Sequence, residues 1–103
     1  MQKQKEIKKV VSQIVKSYNP EKILLFGSFA SGKIKENSDV DLAVIKKTKV
    51  RFVERLKKIA KIVKTWEAFD VLVYTPQEWE RALEEGNYFI QEIAKTGKIV
   101  YEK

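Results

Sequence analysis

Apolar side chains at Ile7, Val10, Val11, Ile14, Val15 and Tyr18 recur at intervals of three and four, the spacing that gathers them on one face of a helix. The pattern predicts an amphipathic helix over residues 2–18. Asn19-Pro20 stops it, because the residue before a proline is driven out of the helical region. A short unbroken apolar run follows, Lys22-Ile-Leu-Leu-Phe26, whose length and flanks (Pro20, Gly27) are those of a buried strand. Small residues then lead to Lys33, and Asp39-Val-Asp-Leu-Ala-Val-Ile45 alternates before turning wholly apolar. This reads as a strand with a polar beginning and a buried body, Asp39 and Asp41 sharing one face and Val40 the other.

Val53, Leu56, Ile59, Ala60 and Val63 form the apolar stripe expected of a second long helix. From Trp66 to Tyr74 the period falls to two, with Phe69, Val71 and Val73 on one side and Asp70, Leu72 and Tyr74 on the other, a third strand. Thr75-Pro76 opens a helix, with Thr75 as N-cap, Pro76 in the first turn and Glu78 placed for a capping box. Trp79, Leu83 and Ala82 are expected to face inward. A break at Gly86-Asn87 precedes a last helix using Phe89, Ile90, Ile93 and Ala94, capped by Gly97, and Lys98-Ile-Val-Tyr101 is a terminal strand or extended tail. The order αβ(turn)βαβααβ fits an α/β (α+β) fold, a small mixed β-sheet flanked by helices, as one domain over residues 1–103.

Composition narrows the chemistry. There is no cysteine and no histidine, so thiolate metal sites, disulfides and the usual general base are all absent. Acid–base or metal chemistry must use carboxylates, lysines or tyrosines. No apolar run is long enough to span a membrane and the N-terminus does not have a signal peptide's pattern, which leads us to expect a soluble, cytoplasmic protein. Abundant lysine and glutamate resemble the bias of proteins from hot environments. The net charge of +7 is concentrated in residues 46–64, where Lys46, Lys47, Lys49, Arg51, Arg55, Lys57, Lys58, Lys61 and Lys64 face only Glu54. Such a stretch is either a solvated helix face or a surface that attracts RNA, nucleotide or an acidic protein.

Gly27-Ser-Phe-Ala-Ser-Gly-Lys33 after a strand matches G-x-x-x-x-G-K, the phosphate-binding loop of NTPases. Ile34 stands where that motif needs a hydroxyl for Mg²⁺, and the chain runs on into a strand instead of a long helix. A second grouping is Gly27-Ser28, ten residues, then Asp39-Val40-Asp41, with Asp70 on another strand; these are the only three aspartates in the chain. Glycine lets a phosphate approach the backbone and the Ser28 hydroxyl adds a hydrogen bond. Two carboxylates on one strand face, joined by a third from another strand, have the composition of a two-metal site for in-line displacement at phosphorus. The plainer reading is that Ser38 and Asp39 form a turn or cap and that Asp41 and Asp70 are solvated strand-end charges.

Phe26-Gly-Ser-Phe-Ala-Ser-Gly followed by Ser38-Asp-Val-Asp-Leu resembles the G-S-x10-D-x-D signature of the polymerase-β-like nucleotidyltransferase superfamily, in particular its minimal nucleotidyltransferases (MNT), whose element order matches along the whole chain. The resemblance implies that Gly27 and Ser28 hold the triphosphate of ATP, that Asp39 and Asp41 ligand two Mg²⁺ ions, and that Asp70 completes the metal site on the nucleophile's side. Many relatives have arginine at the position of Ser31. Lys33 then either replaces that phosphate contact or is plain surface. The family context further implies a partner, an all-helical HEPN-type toxin, on whose tyrosine the enzyme places AMP as an antitoxin, in a hetero-oligomer or as a homo-oligomer. Two alternatives stay open: a non-catalytic antitoxin or binding module that neutralises its partner by occlusion, and nucleotidyl transfer to RNA or a small molecule. Trp79, Tyr88 and Phe89 are either interface anchors or core.

Overall fold

The computed structural model describes residues 2–27, 40–65 and 69–103. Its elements are α1 (Gln2–Tyr18), β1 (Lys22–Phe26), β2 (Val40–Ile45), α2 (Phe52–Ile62), β3 (Phe69–Tyr74), α3 (Pro76–Glu84), α4 (Tyr88–Thr96) and β4 (Lys98–Glu102), the order expected from the pattern. The expected starts of β2 at Asp39 and of β3 at Trp66 lie outside the described residues. Asn19 leaves α1 in the left-handed conformation, φ 51°, which asparagine tolerates better than most residues.

The four strands form one mixed sheet in the order β3-β2-β1-β4. β1 runs antiparallel to both β2 and β4, and β2 runs parallel to β3. On one face α1 and α2 bury Val10, Ile14 and Ile59 against Ile23, Leu25, Val40, Leu42, Val44 and Val73. On the other, α3 and α4 cover Leu24, Ala43 and Ile45 with Ile90 and Ile93, assisted by Trp79 and Leu83. The two central strands are therefore covered on both faces, which is why their sequences are nearly continuous apolar runs. Between Ile23 and Leu24 the register with β4 slips, so that Ile23 pairs with Tyr101 and Leu24 with Ile99. Val100 is the extra residue of this bulge, and Val100 and Tyr101 both pack against the α1 cluster.

Thr75 caps α3 as its sequence predicts: its hydroxyl accepts from the Glu78 amide at 3.1 Å, and Glu78 accepts from the Thr75 amide at 2.8 Å. Gly97 closes α4, but with an extended φ of −70° in place of the expected left-handed cap. Space is what excludes a side chain there, because an added Cβ would sit 2.5 Å from the Ile93 carbonyl oxygen and 3.2 Å from that of Leu25.

Two expected faces differ from the structure. In α2, Val53 and Ala60 are exposed, and Ile59, with Val63 at the C-cap, carries the packing. The inner position one turn before Ile59 goes to Arg55, only 5% exposed. Its guanidinium grips both Glu78 carboxylate oxygens at 2.6 and 3.2 Å and donates to the carbonyls of Val50 at 2.7 Å and Val73 at 3.2 Å. The basic stretch is thus not one solvated face. Arg55 is buried because the capping carboxylate and two carbonyls satisfy its donors, which apolar periodicity does not register. In α4 only Ile90 and Ile93 are buried, while Phe89 and Ala94 are exposed. No helix among the described residues is long and apolar enough to cross a membrane.

Candidate active site

Antiparallel pairing brings the C-terminal end of β1 to the same end of the sheet as the N-terminal ends of β2 and β3. There Phe26 pairs with Asp41, and Asp41 lies beside Asp70 in the parallel register. All three side chains project to the face covered by α3 and α4, since they share parity with Leu24, Ala43 and Tyr74. Neighbouring strands run about 4.8 Å apart, a separation at which two adjacent carboxylates can share a cation. Asp41 is half-buried and Asp70 exposed, so the pair opens outward from the end of the sheet.

The turn leaving β1 folds onto this pair. Gly27 has φ 80°, and a Cβ added there would overlap Asp41 Oδ2 and lie 3.2 Å from Asp41 Cγ. A residue with any side chain therefore displaces the carboxylate or the turn. Glycine is required both for backbone conformation and for the space the carboxylate occupies.

The donor chemistry fits a hard divalent cation: the groups on offer are carboxylate oxygens, and the chain has no histidine or cysteine to draw a softer metal. Of the six residues singled out from the sequence, the structure brings Gly27, Asp41 and Asp70 together. Ser28, Lys33 and Asp39 lie outside the described residues, as does Ser31. Among the described residues there is accordingly no cluster of three metal-ligating side chains.

An aromatic wall beside the carboxylates escaped the sequence reading. Phe26 meets Phe89 of α4 edge to face, ring centroids 5.7 Å apart and planes at 88°. The parity of β1 against β2 could have revealed it, since Phe26 must share the Asp41 face if the strands pair at Gly27. Of the three aromatic residues considered as interface anchors, Trp79 packs in the core against Tyr74 at 5.8 Å, whereas Tyr88 and Phe89 remain exposed. The Arg55 hydrogen bond holds Glu78 below the usual carboxylate range, and burial raises Tyr18 and Tyr74.

The chain is similar to known proteins both in sequence and in fold. Residues 5–103 match the family model described as polymerase beta, nucleotidyltransferase. A candidate protein adenylyltransferase of Methanocaldococcus jannaschii is 33% identical over 94 residues, covering 90% of each chain. In fold, the chain is similar to a candidate nucleotidyltransferase from Sulfolobus solfataricus, with TM-score 0.70, 20% identity, and 96% of this chain and 79% of that one covered. It is also similar to a toxin–antitoxin structure with AMP-PNP, TM-score 0.57 and 21% identity, with coverage of 96% and 73%. A mutant of the toxin–antitoxin pair MntA–HpeT gives TM-score 0.60 at 20% identity, with coverage of 93% and 72%. With its strand-end carboxylates, its glycine turn and a family match over nearly its whole length, this chain belongs to the polymerase-β nucleotidyltransferase family.

Proposed function

We propose that this nucleotidyltransferase moves AMP from ATP, with Mg²⁺, to the tyrosine hydroxyl of a small all-helical HEPN-type toxin, and is thereby that toxin's antitoxin. The observation that carries the reading is the side-by-side register of Asp41 and Asp70 against the Gly27 turn. Support comes from the relative described as a candidate protein adenylyltransferase and from two toxin–antitoxin structures of similar fold, one of them with AMP-PNP.

Asp39, Asp41 and Asp70 would hold two Mg²⁺ ions, which when bound neutralise the triphosphate and make a hydroxyl acidic enough to attack near neutral pH. Gly27, having no Cβ, lets phosphate oxygens approach the backbone amides of the turn, and Ser28 donates its hydroxyl to them. Lys33 is assigned to the phosphate side. Asp70, the exposed member of the pair, takes the proton from the acceptor hydroxyl. The acceptor oxygen then bonds to the α-phosphorus as the bond to the β-phosphate oxygen breaks, and pyrophosphate leaves.

The test is the intact mass of the helical protein encoded beside this chain after incubation with ATP and Mg²⁺. A gain of whole AMP units that an Asp39→Asn, Asp41→Asn protein does not produce is the expected result. An unmodified partner with the enzyme folded and supplied with Mg²⁺ refutes transfer. Neutralisation that survives the double substitution identifies occlusion instead, and label recovered in RNA or a small molecule moves the acceptor there.

A further inference from the structure

Between α1 and β4, on the face opposite the carboxylates, lies a groove of about 750 Å³. Half-buried Val11, Val15 and Val100 make its apolar floor, and the bulge in β4 is what turns both Val100 and Tyr101 into it. Lys8, Lys16 and Lys98 stand at its rim, all exposed, and among the described residues no carboxylate lines it. Leu25 and Lys98, partners in the β1–β4 register, line one end of it. Gly27 is two residues beyond Leu25, about 7 Å along an extended chain. The groove therefore opens at the same end of the sheet as Asp41 and Asp70.

Resting on the function proposed above, we propose that this groove is the docking surface for the protein acceptor, and that it takes an amphipathic helix presenting apolar side chains flanked by aspartate or glutamate. An apolar floor ringed by positive charge is complementary to such a helix in both surface and potential. A second copy of this chain is disfavoured as occupant, because at a net charge of +7 a self-complementary contact would set the three rim lysines of one copy close to those of the other. RNA would satisfy the lysines but leave the valine floor against phosphate or water. A helix seated here delivers the adjoining segment of its own protein to the carboxylate end of the sheet.

Two measurements test this. In steady-state AMP transfer to the helical partner, the Lys8→Glu, Lys16→Glu, Lys98→Glu protein is expected to show a KM for the partner raised at least about tenfold, with kcat, KM for ATP and melting temperature unchanged. An unchanged KM for the partner overturns the docking surface while leaving the transfer reading intact. Separately, a photo-crosslinking residue at Val11 is expected to capture an apolar helix of the partner bordered by carboxylates, a readout that needs no catalysis. Capture of that helix without any AMP transfer upholds docking and sinks the transfer reading. Capture of a basic or wholly polar segment, of a second copy of this chain, or of added RNA overturns the proposal.

Discussion

Replacing Gly27 with alanine separates two constraints that act at one position. The first is conformational: at φ 80° an alanine is strained by roughly 1–2 kcal/mol, partly offset by the smaller entropy of its unfolded chain. The second is steric, because the new methyl group overlaps Asp41 Oδ2. Gly86 supplies the control, with φ 74° and nothing within 4 Å of an added Cβ. Gly86→Ala is expected to lower stability by about 1 kcal/mol in urea unfolding without touching transfer. Gly27→Ala carries that cost and the cost of moving the Asp41 carboxylate off its rotamer, about 0.5–1.5 kcal/mol more. On the proposed function, displacing the Asp41 carboxylate by about 1 Å lowers the rate roughly a hundredfold, so activity should separate the two variants far more than stability does. The assay is AMP transfer at saturating ATP and Mg²⁺, with urea midpoints measured on the same preparations. A Gly27→Ala protein that transfers at the wild-type rate refutes the steric argument, and so does a Gly86→Ala protein that loses activity equally.

Three further outcomes follow from the same contacts. Asp70→Asn removes a like charge beside Asp41 and should stabilise the metal-free protein by a few tenths of a kcal/mol, while abolishing the rise in melting temperature expected of the wild type on adding Mg²⁺; a metal-dependent rise that persists would show that Asp70 is no ligand. Arg55→Met strips the buried donors from Glu78 and from the carbonyls of Val50 and Val73, and is expected to cost about 3 kcal/mol, at the lower end for a broken buried pair because Glu78 stays hydrated; an unchanged urea midpoint contradicts the view that Arg55 ties α2 to β3 and α3. Glu78 has its folded pKa lowered from 4.5, first by the Arg55 hydrogen bond, so its contribution is present above 4.5 and is lost as pH falls through the lowered value. Wild type should accordingly lose stability more steeply than Glu78→Gln as pH falls below 4.5, and parallel acid titrations of the two would exclude the coupling.

The order and type of the helices and strands were legible because each rests on a local signal: three-and-four spacing in α1, proline after Asn19, and the Thr75-Pro76-Gln77-Glu78 box at α3. That Gly27, Asp41 and Asp70 belong together was legible for a related reason. Gly27 follows β1, while Asp41 and Asp70 lie in β2 and β3, yet all three sit at strand ends where turn residues and polar breaks in apolar runs mark them. Where the reading failed, at Val53, Ala60, Phe89 and Ala94, hydrophobicity alone was asked to choose between faces that contacts decide. Arg55 is the clearest case, since a run of nine basic residues gives no sign of which one has carbonyls and a carboxylate waiting for it 23 residues away.

By itself, then, the sequence determined the order of elements, the two apolar central strands, the capping box and the residue types available for chemistry, because all of these depend on neighbours within a turn or a strand. Only the tertiary structure decided that β2 and β3 pair so that Asp41 meets Asp70, that Gly27 closes on the same carboxylate, that Arg55 turns inward, and that the β4 bulge builds a lysine-rimmed groove beside α1. Register and side-chain satisfaction are set between segments distant in the chain. A one-residue slip between β2 and β3 would leave every local pattern unchanged and send the two carboxylates to opposite faces.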